Sequence, residues 1–258
     1  MEQTIHPLAS HIQAVKRRLL IIGATVLGSL VLTFSFSAEM VAWLNRPFSN
    51  QLAFYSPTEA LFASIKVSLL AALILSLPVI FYQCWKFIEP ALLPKEQRWA
   101  IPLFMVAGGL FALGLVFCNA VILPLVIDLF VSFGLDRDIT PQLSVGTYID
   151  FNVKFLFIFG CAFELPLAMS VVAMTGAASA DTFARYRKHA MLLCLIISAI
   201  VTPDATLFTM LLMAVPLMAL YEIGILGARL FGRNQASGGI DLPLDPDLPI
   251  NTAGTRLR

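Results

Sequence analysis

The chain has 258 residues, 59% of them hydrophobic and 13% charged, with a mean hydropathy of +0.85 and a formal net charge of +1. Average soluble domains are about 45–50% apolar and about 25% charged, so this composition excludes a water-soluble globule: the surplus apolar surface needs lipid as its solvent. The net charge says little, because in such a protein the position of each charge matters more than the total, and no nucleic-acid partner is expected.

Residues 1–18 are polar and end in Lys16-Arg17-Arg18. The apolar run behind them is too long for the core of a signal peptide and has no convincing cleavage site, so no cleavable leader is expected. Apolar runs occupy residues 19–38, 61–85, 101–130, 149–175, 190–202 and 206–228. A spanning helix needs about 20 residues, and the first four runs are long enough. The last two form a tight pair across Thr202-Pro203-Asp204-Ala205. The expectation is an all-α polytopic membrane protein with six transmembrane helices, hence both termini on one side. Residues 1–18 form an N-terminal segment, 19–231 the transmembrane domain and 232–258 a proline-rich, acidic, disordered tail.

Lys and Arg placement sets the orientation. Lys16, Arg17, Arg18, Lys86, Lys95, Arg98, Arg185, Arg187, Lys188, Arg229 and Arg233 lie on the side of the termini. The opposite side has Arg46 and Arg137, plus Lys66 and Lys154 near helix ends. Both termini are therefore expected to be cytoplasmic. In the first outer connection, Ser56-Pro57-Thr58-Glu59 predicts a helix beginning at Pro57. The fifth run is short: fourteen residues between Lys188 and Pro203 span about 21 Å. Either the 190–228 hairpin thins the bilayer, or Arg187, Lys188 and His189 snorkel outward.

The stretch from Ser76 to Trp99 organises the cytoplasmic side. It leaves an apolar run through Phe81, Tyr82, Trp85 and Phe87, turns through Glu89-Pro90 and Pro94, and ends in Lys95, Glu96 and Arg98. Aromatic residues of this kind favour the headgroup level, so a helix leaves the membrane here, a proline-marked loop follows, and the chain re-enters. On pattern alone, Glu96 is either a solvated carboxylate paired with Lys95 or Arg98, or a receptor for an incoming guanidinium, which carboxylates bind bidentately.

Within the apolar runs, Glu164 is the residue that does not belong in lipid. It lies fourteen residues after Asp150, about 21 Å along a helix. A charge near mid-membrane costs about 2.5–3.5 kcal/mol on insertion scales, so Glu164 is expected to face a wet concavity or to be protonated. Pro166 cannot donate to the Ala162 carbonyl, which opens that turn further. Asp150 and Lys154 are spaced four apart and are expected to pair. Cys84, Cys118, Cys161 and Cys194 show no metal or redox spacing and read as small packing residues. No nucleophile, metal or nucleotide motif is evident, so neither an enzyme nor a cofactor is expected.

YQCWKFIEPALLPKEQR, with FELP at 163–166, TPD at 202–204 and AVPLMALYEIGI at 214–225, resembles the TatC family, the multispanning receptor subunit of the twin-arginine protein translocase. The likeness covers roughly residues 8–231, in order. It implies a concave six-helix bundle in a bacterial inner membrane that binds twin-arginine signal peptides of folded precursor proteins. It also implies single-span partners of the TatA/TatB type, self-association in a hetero-oligomeric receptor complex, and transport driven by the proton-motive force. Carried over by motif, Glu96 resembles the carboxylate that receives the arginines, with Phe87 and Pro90 shaping its loop. Pro47 matches a proline of the first outer loop, Glu164 the polar residue of the concave face, and Asp204 the acid of the last outer turn, where Thr206 is the competing position.

The N-terminal family pattern resembles H-L-x-E-L-R-x-R-L, and this chain reads HIQAVKRRL. Ala14 replaces the glutamate, while Lys16 and Arg18 take the two arginine positions and join the implied signal-peptide site. Loss of that glutamate leaves more of the recognition to Glu96, or brings in Glu89. Met210 stands where a glutamine is usual. The runner-up function is a proton-coupled small-solute transporter with Glu164 as relay, although no inverted repeat supports it. An intramembrane protease lacks its nucleophile and base.

Overall fold

The computed structural model describes residues 5–45, 52–53, 56–89, 100–135, 143–202 and 207–231. The first helix, α1 (Ile5–Phe34), has 30 residues and is about 45 Å long. It therefore begins well inside the segment expected to be merely polar. Leu19, Leu20, Leu27 and Val31 lie exposed along it, and Thr33 near its end is buried. A short helix, α2 (Ser37–Leu44), follows, and then α3 (Pro57–Ile88) starts where its capping sequence predicts. Ser56 Oγ accepts from the Thr58 amide at 3.4 Å, and Pro57 occupies the first turn, where its missing N–H costs nothing.

α1 and α3 run antiparallel along a seam of small polar residues. Thr33 Oγ1 lies 2.9 Å from the Ser68 carbonyl, and Ser76 Oγ donates to Ser29 Oγ at 3.1 Å. Lipid tails are as apolar as leucine, so close packing and such interhelical hydrogen bonds hold helices together in a bilayer.

The third apolar run is helical throughout but not uniform. α4 (Ala100–Phe117) passes through a π-helical turn, Cys118–Ile122, into α5 (Leu123–Leu135). The Leu123 amide donates to the Cys118 carbonyl, one residue wider than an α-turn. The widened turn immediately precedes Pro124, whose ring would otherwise crowd the carbonyl four residues back.

The core is built around α6 (Val145–Phe163). Ile149, Phe155 and Phe159 are fully buried, and Phe151, Phe155 and Phe159 form an aromatic ladder that Phe117 of α4 joins at 5.9 Å. α6 begins against α3: Glu59 accepts from the Gly146 amide at 2.9 Å and from Ser144 Oγ. Beside this cap, Leu52–Ala53 and Leu143–Ser144 make a two-residue parallel bridge, and Tyr148 Oη donates to the Leu44 carbonyl of α2 at 3.3 Å.

The 149–175 run is interrupted at Glu164, where α6 ends and α7 (Leu165–Met174) begins. α7 stops at Gly176, whose φ of 75° suits glycine and few other residues. α8 (Ala180–Arg185), α9 (Arg187–Val201) and α10 (Leu207–Phe231) complete the described chain. α10 packs closely on α7 through glycines: a Cβ on Gly224 would collide with Met169 and lie 3.3 Å from Pro166 Cα, and one on Gly227 would collide with Ser170.

Among the described residues, five helical segments are long and apolar enough to cross a membrane: Val15–Phe34, Thr58–Ile88, Ile101–Leu129, Val145–Met174 and Leu207–Phe231. The protein is thus a multi-pass helical membrane protein. α9, with 15 residues, reaches only about 22 Å and is not among them.

Two local expectations are corrected. Asp150 pairs with Lys66 of α3, not with Lys154 of its own helix, because α3 presents an ammonium group directly opposite. Arg187 of α9 lies 2.8 Å from Glu222 of α10. Cys118 and Cys194 are buried packing residues as expected, whereas Cys84 and Cys161 are exposed, Cys84 on the lining of a cavity between α3, α4 and α7.

Candidate functional site

Two faces of the last turns of α3 create two different environments. Phe81, Cys84, Trp85 and Ile88 recur at the three- and four-residue spacing of one helix face. They meet Leu103, Phe104 and Ala107 of α4 and Leu167, Ala168, Val171 and Val172 of α7 around a cavity of about 330 Å3. Phe81 and Phe104 pack edge to face across it, with centroids 6.1 Å apart. The charged residue in the lining is Glu164. Its backbone carbonyl accepts from the Ala168 amide at 2.8 Å, so the main chain there is satisfied. Its side-chain Oε1 is buried and has no hydrogen-bond partner among the described residues. A carboxylate held this way in an apolar cavity is a strong acceptor awaiting a polar or cationic group.

The opposite face carries Tyr82, Gln83 and Lys86, which line a second cavity of about 360 Å3 with Arg17, Arg18 and Ile21 of α1. Arg18 Cζ sits 5.6 Å from the Phe87 ring centroid, and Lys86 Nζ sits 5.5 Å from that of Tyr82. The antiparallel packing of α1 and α3 thus brings together Arg18 and Phe87, two residues that the resemblance assigns to one site. Lys16 lies exposed a half-turn earlier on α1. Glu89 caps α3 in a tight turn, with its amide donating to the Trp85 carbonyl.

Glu96, Pro90, Pro47, Asp204 and Thr206 lie outside the described residues, as does the side chain of Ala14. Met210 is half-buried near the start of α10. Sequence reasoning missed Arg17, Lys86 and the cavity partners of Glu164. The 81–84–85–88 spacing was a signal for the apolar face, but nothing local shows which helices cover it.

The sequence matches the family described as Sec-independent protein translocase protein (TatC) over residues 10–216. This chain belongs to the TatC family. It is 38% identical over 236 residues to the Sec-independent protein translocase protein TatC of Aquifex aeolicus, covering 89% of this chain and 97% of that one. The corresponding protein of Campylobacter jejuni is 35% identical over 226 residues, covering 85% and 92%. Among solved structures, a crystal structure described as the twin arginine translocase receptor TatC superposes with a TM-score of 0.78 at 37% identity, covering 86% of this chain and all of that one. The TatC family is made up of translocase subunits and is not an enzyme family. Its members share the helical membrane bundle seen here, so family and fold agree over nearly the whole described chain.

Proposed function

We propose that this chain is the signal-peptide receptor and core subunit of a twin-arginine translocase in the cytoplasmic membrane of a bacterium. In this reading it binds twin-arginine signal peptides of folded precursors, assembles with single-span TatA/TatB-type subunits and further copies of itself, and works in a transport cycle driven by the proton-motive force. The observation that carries the reading is the likeness, at 37% identity and over the full length of the solved chain, to a protein described as the twin-arginine translocase receptor. The excess of Lys and Arg on one side supports cytoplasmic termini. That requires an even number of crossings, with the short α9 as the sixth. Residues 19–231 then form the membrane domain between two cytoplasmic ends.

In this arrangement Glu96 receives the paired guanidinium groups, with Glu89 as a second carboxylate at the mouth of the loop and Phe87 and Pro90 shaping it. Lys16 and Arg18 do not bind guanidinium directly, since like charges repel; they bound the site and orient the peptide across α1. Pro47 and Asp204 act at the outer face, and Glu164 offers its unpartnered oxygen within the bundle. The family match does not favour the alternative of a proton-coupled small-solute transporter.

The test is binding of a twin-arginine signal peptide to the purified protein, beside a twin-lysine peptide and the Glu96→Gln variant. A bidentate, charge-assisted pair predicts that either change weakens binding by about 1.5–3 kcal/mol. Equal binding in all combinations would remove Glu96 from the site and sink the receptor reading for the isolated subunit.

A further inference from the structure

We propose that the cavity between α1 and α3 is a binding site for the phosphate headgroup of an acidic phospholipid. Arg17, Arg18 and Lys86 converge on it, and Tyr82 and Gln83 add neutral hydrogen-bond donors. Its volume of about 360 Å3 falls within the range of small-molecule sites, about 300–1,000 Å3.

No ion pair among the described residues involves any of the three cations. Arg18 and Lys86 rest on the Phe87 and Tyr82 rings, which positions them without neutralising them, because an aromatic ring supplies only a quadrupole. Arg18 Nη1 is buried with no hydrogen-bond partner. Three like charges gathered around one cavity, one of them with an orphaned donor, call for an anion.

The surroundings identify the anion's source. Ile21, one turn along α1 from Arg17 and Arg18, forms the apolar wall, and Leu19 and Leu20 beside it lie exposed among the lipid-facing residues. The cations thus sit at the edge of the Val15–Phe34 span, and Tyr82 and Trp85 of α3 mark the headgroup level. A phosphate at this depth arrives with acyl chains, which continue along α1. Basic pockets between membrane helices on the cytoplasmic side suit acidic lipid headgroups. The site does not depend on signal-peptide binding. A bound phosphate does have a consequence for it: screening Arg18 and Lys86 lowers the repulsion that a dicationic peptide meets beside Phe87 and Glu89.

The test uses full-length, delipidated protein in neutral detergent. Native mass spectrometry measures retention of dioleoylphosphatidylglycerol, dioleoylphosphatidylcholine with the same tails, and water-soluble glycerol 1-phosphate. Phosphatidylglycerol should be retained at least tenfold better than phosphatidylcholine, and glycerol 1-phosphate should not displace it. Each cation near an anionic headgroup is worth about 1 kcal/mol, about fivefold. The Arg17→Gln, Lys86→Gln double variant should therefore lose about thirtyfold and keep only the roughly fivefold preference that Arg18 supplies. The charge-conserving Arg17→Lys, Lys86→Arg variant guards against a folding defect and should keep the preference. Equal retention of the two lipids overturns the proposal, as does an undiminished preference in the Gln variant or its loss in the conservative one. Displacement by glycerol 1-phosphate at equal concentration assigns the site to free phosphate and overturns the lipid assignment.

Discussion

Replacing Glu164 by leucine separates a carboxylate kept for function from one kept for structure. Leucine is close to glutamate in size and suits the apolar lining that Phe81, Trp85, Phe104 and Leu167 provide. The hydrogen bond from Ala168 ends on the backbone carbonyl of residue 164 and survives the change. What disappears is a buried Oε1 without a partner. An unsatisfied buried polar group costs about 1–3 kcal/mol, and because Glu164 as a whole is only half-buried its carboxyl falls at the low end, about 1 kcal/mol. In a chain of this size that is a rise of about 2–4 °C in melting temperature. The expected outcome for Glu164→Leu is therefore a more stable protein in detergent and, in cells dependent on this subunit, weakened export of a twin-arginine reporter. Thermal unfolding followed by intrinsic fluorescence and the export assay read the two effects separately. A variant that melts lower would show that the carboxyl is bonded into the fold, refuting the reasoning from its orphaned oxygen. Unchanged export would remove Glu164 from the transport machinery.

Two further predictions concern how the site is held. Within α4, Gly114→Ala and Gly109→Ala make the same chemical change in different surroundings. A Cβ at 114 would lie 2.7 Å from the Phe159 carbonyl oxygen and 3.1 Å from Phe163, whereas a Cβ at 109 meets nothing within 4 Å. Helix propensity cancels between the two, so Gly114→Ala should be less stable than Gly109→Ala by the overpacking cost of about 1–3 kcal/mol; equal unfolding midpoints in a denaturing-detergent titration would count against the α4–α6 packing. Where α3 meets the start of α6, Glu59→Ala removes the acceptor for the Gly146 amide and Ser144 Oγ. It should cost about 1 kcal/mol and speed hydrogen exchange selectively in the first turn of α6, and unaltered exchange there would refute the capping role.

Much of the architecture is legible along the chain because the bilayer imposes strict conditions. A segment in hydrocarbon must satisfy its own backbone hydrogen bonds and present about 20 apolar residues, so the long runs emerge as α1, α3, α4–α5, α6–α7 and α10. The start of α3 at Pro57 follows from local capping chemistry alone. Glu164 is conspicuous because ionisable residues are expensive at that depth. The resemblance, carried by FELP and the 82–98 stretch, points to the same family as the whole-chain likeness. The π-turn before Pro124 was hidden, since hydropathy is blind to one extra residue in a turn.

Tertiary structure decided what no local pattern contains. Asp150 has a cation four residues away on its own helix, yet it pairs with Lys66, 84 residues distant, because α3 and α6 lie side by side. Glu59 reads as an ordinary first-turn acid of α3 and turns out to cap α6. Arg18 and Phe87 meet because α1 and α3 are antiparallel, which gathers three cations into one cavity. Sequence thus determined which segments leave water and where single charges resist lipid, since both follow from transfer free energies of individual residues. The partners of those charges depend on which helix faces meet, and that was settled by packing between segments far apart in the chain.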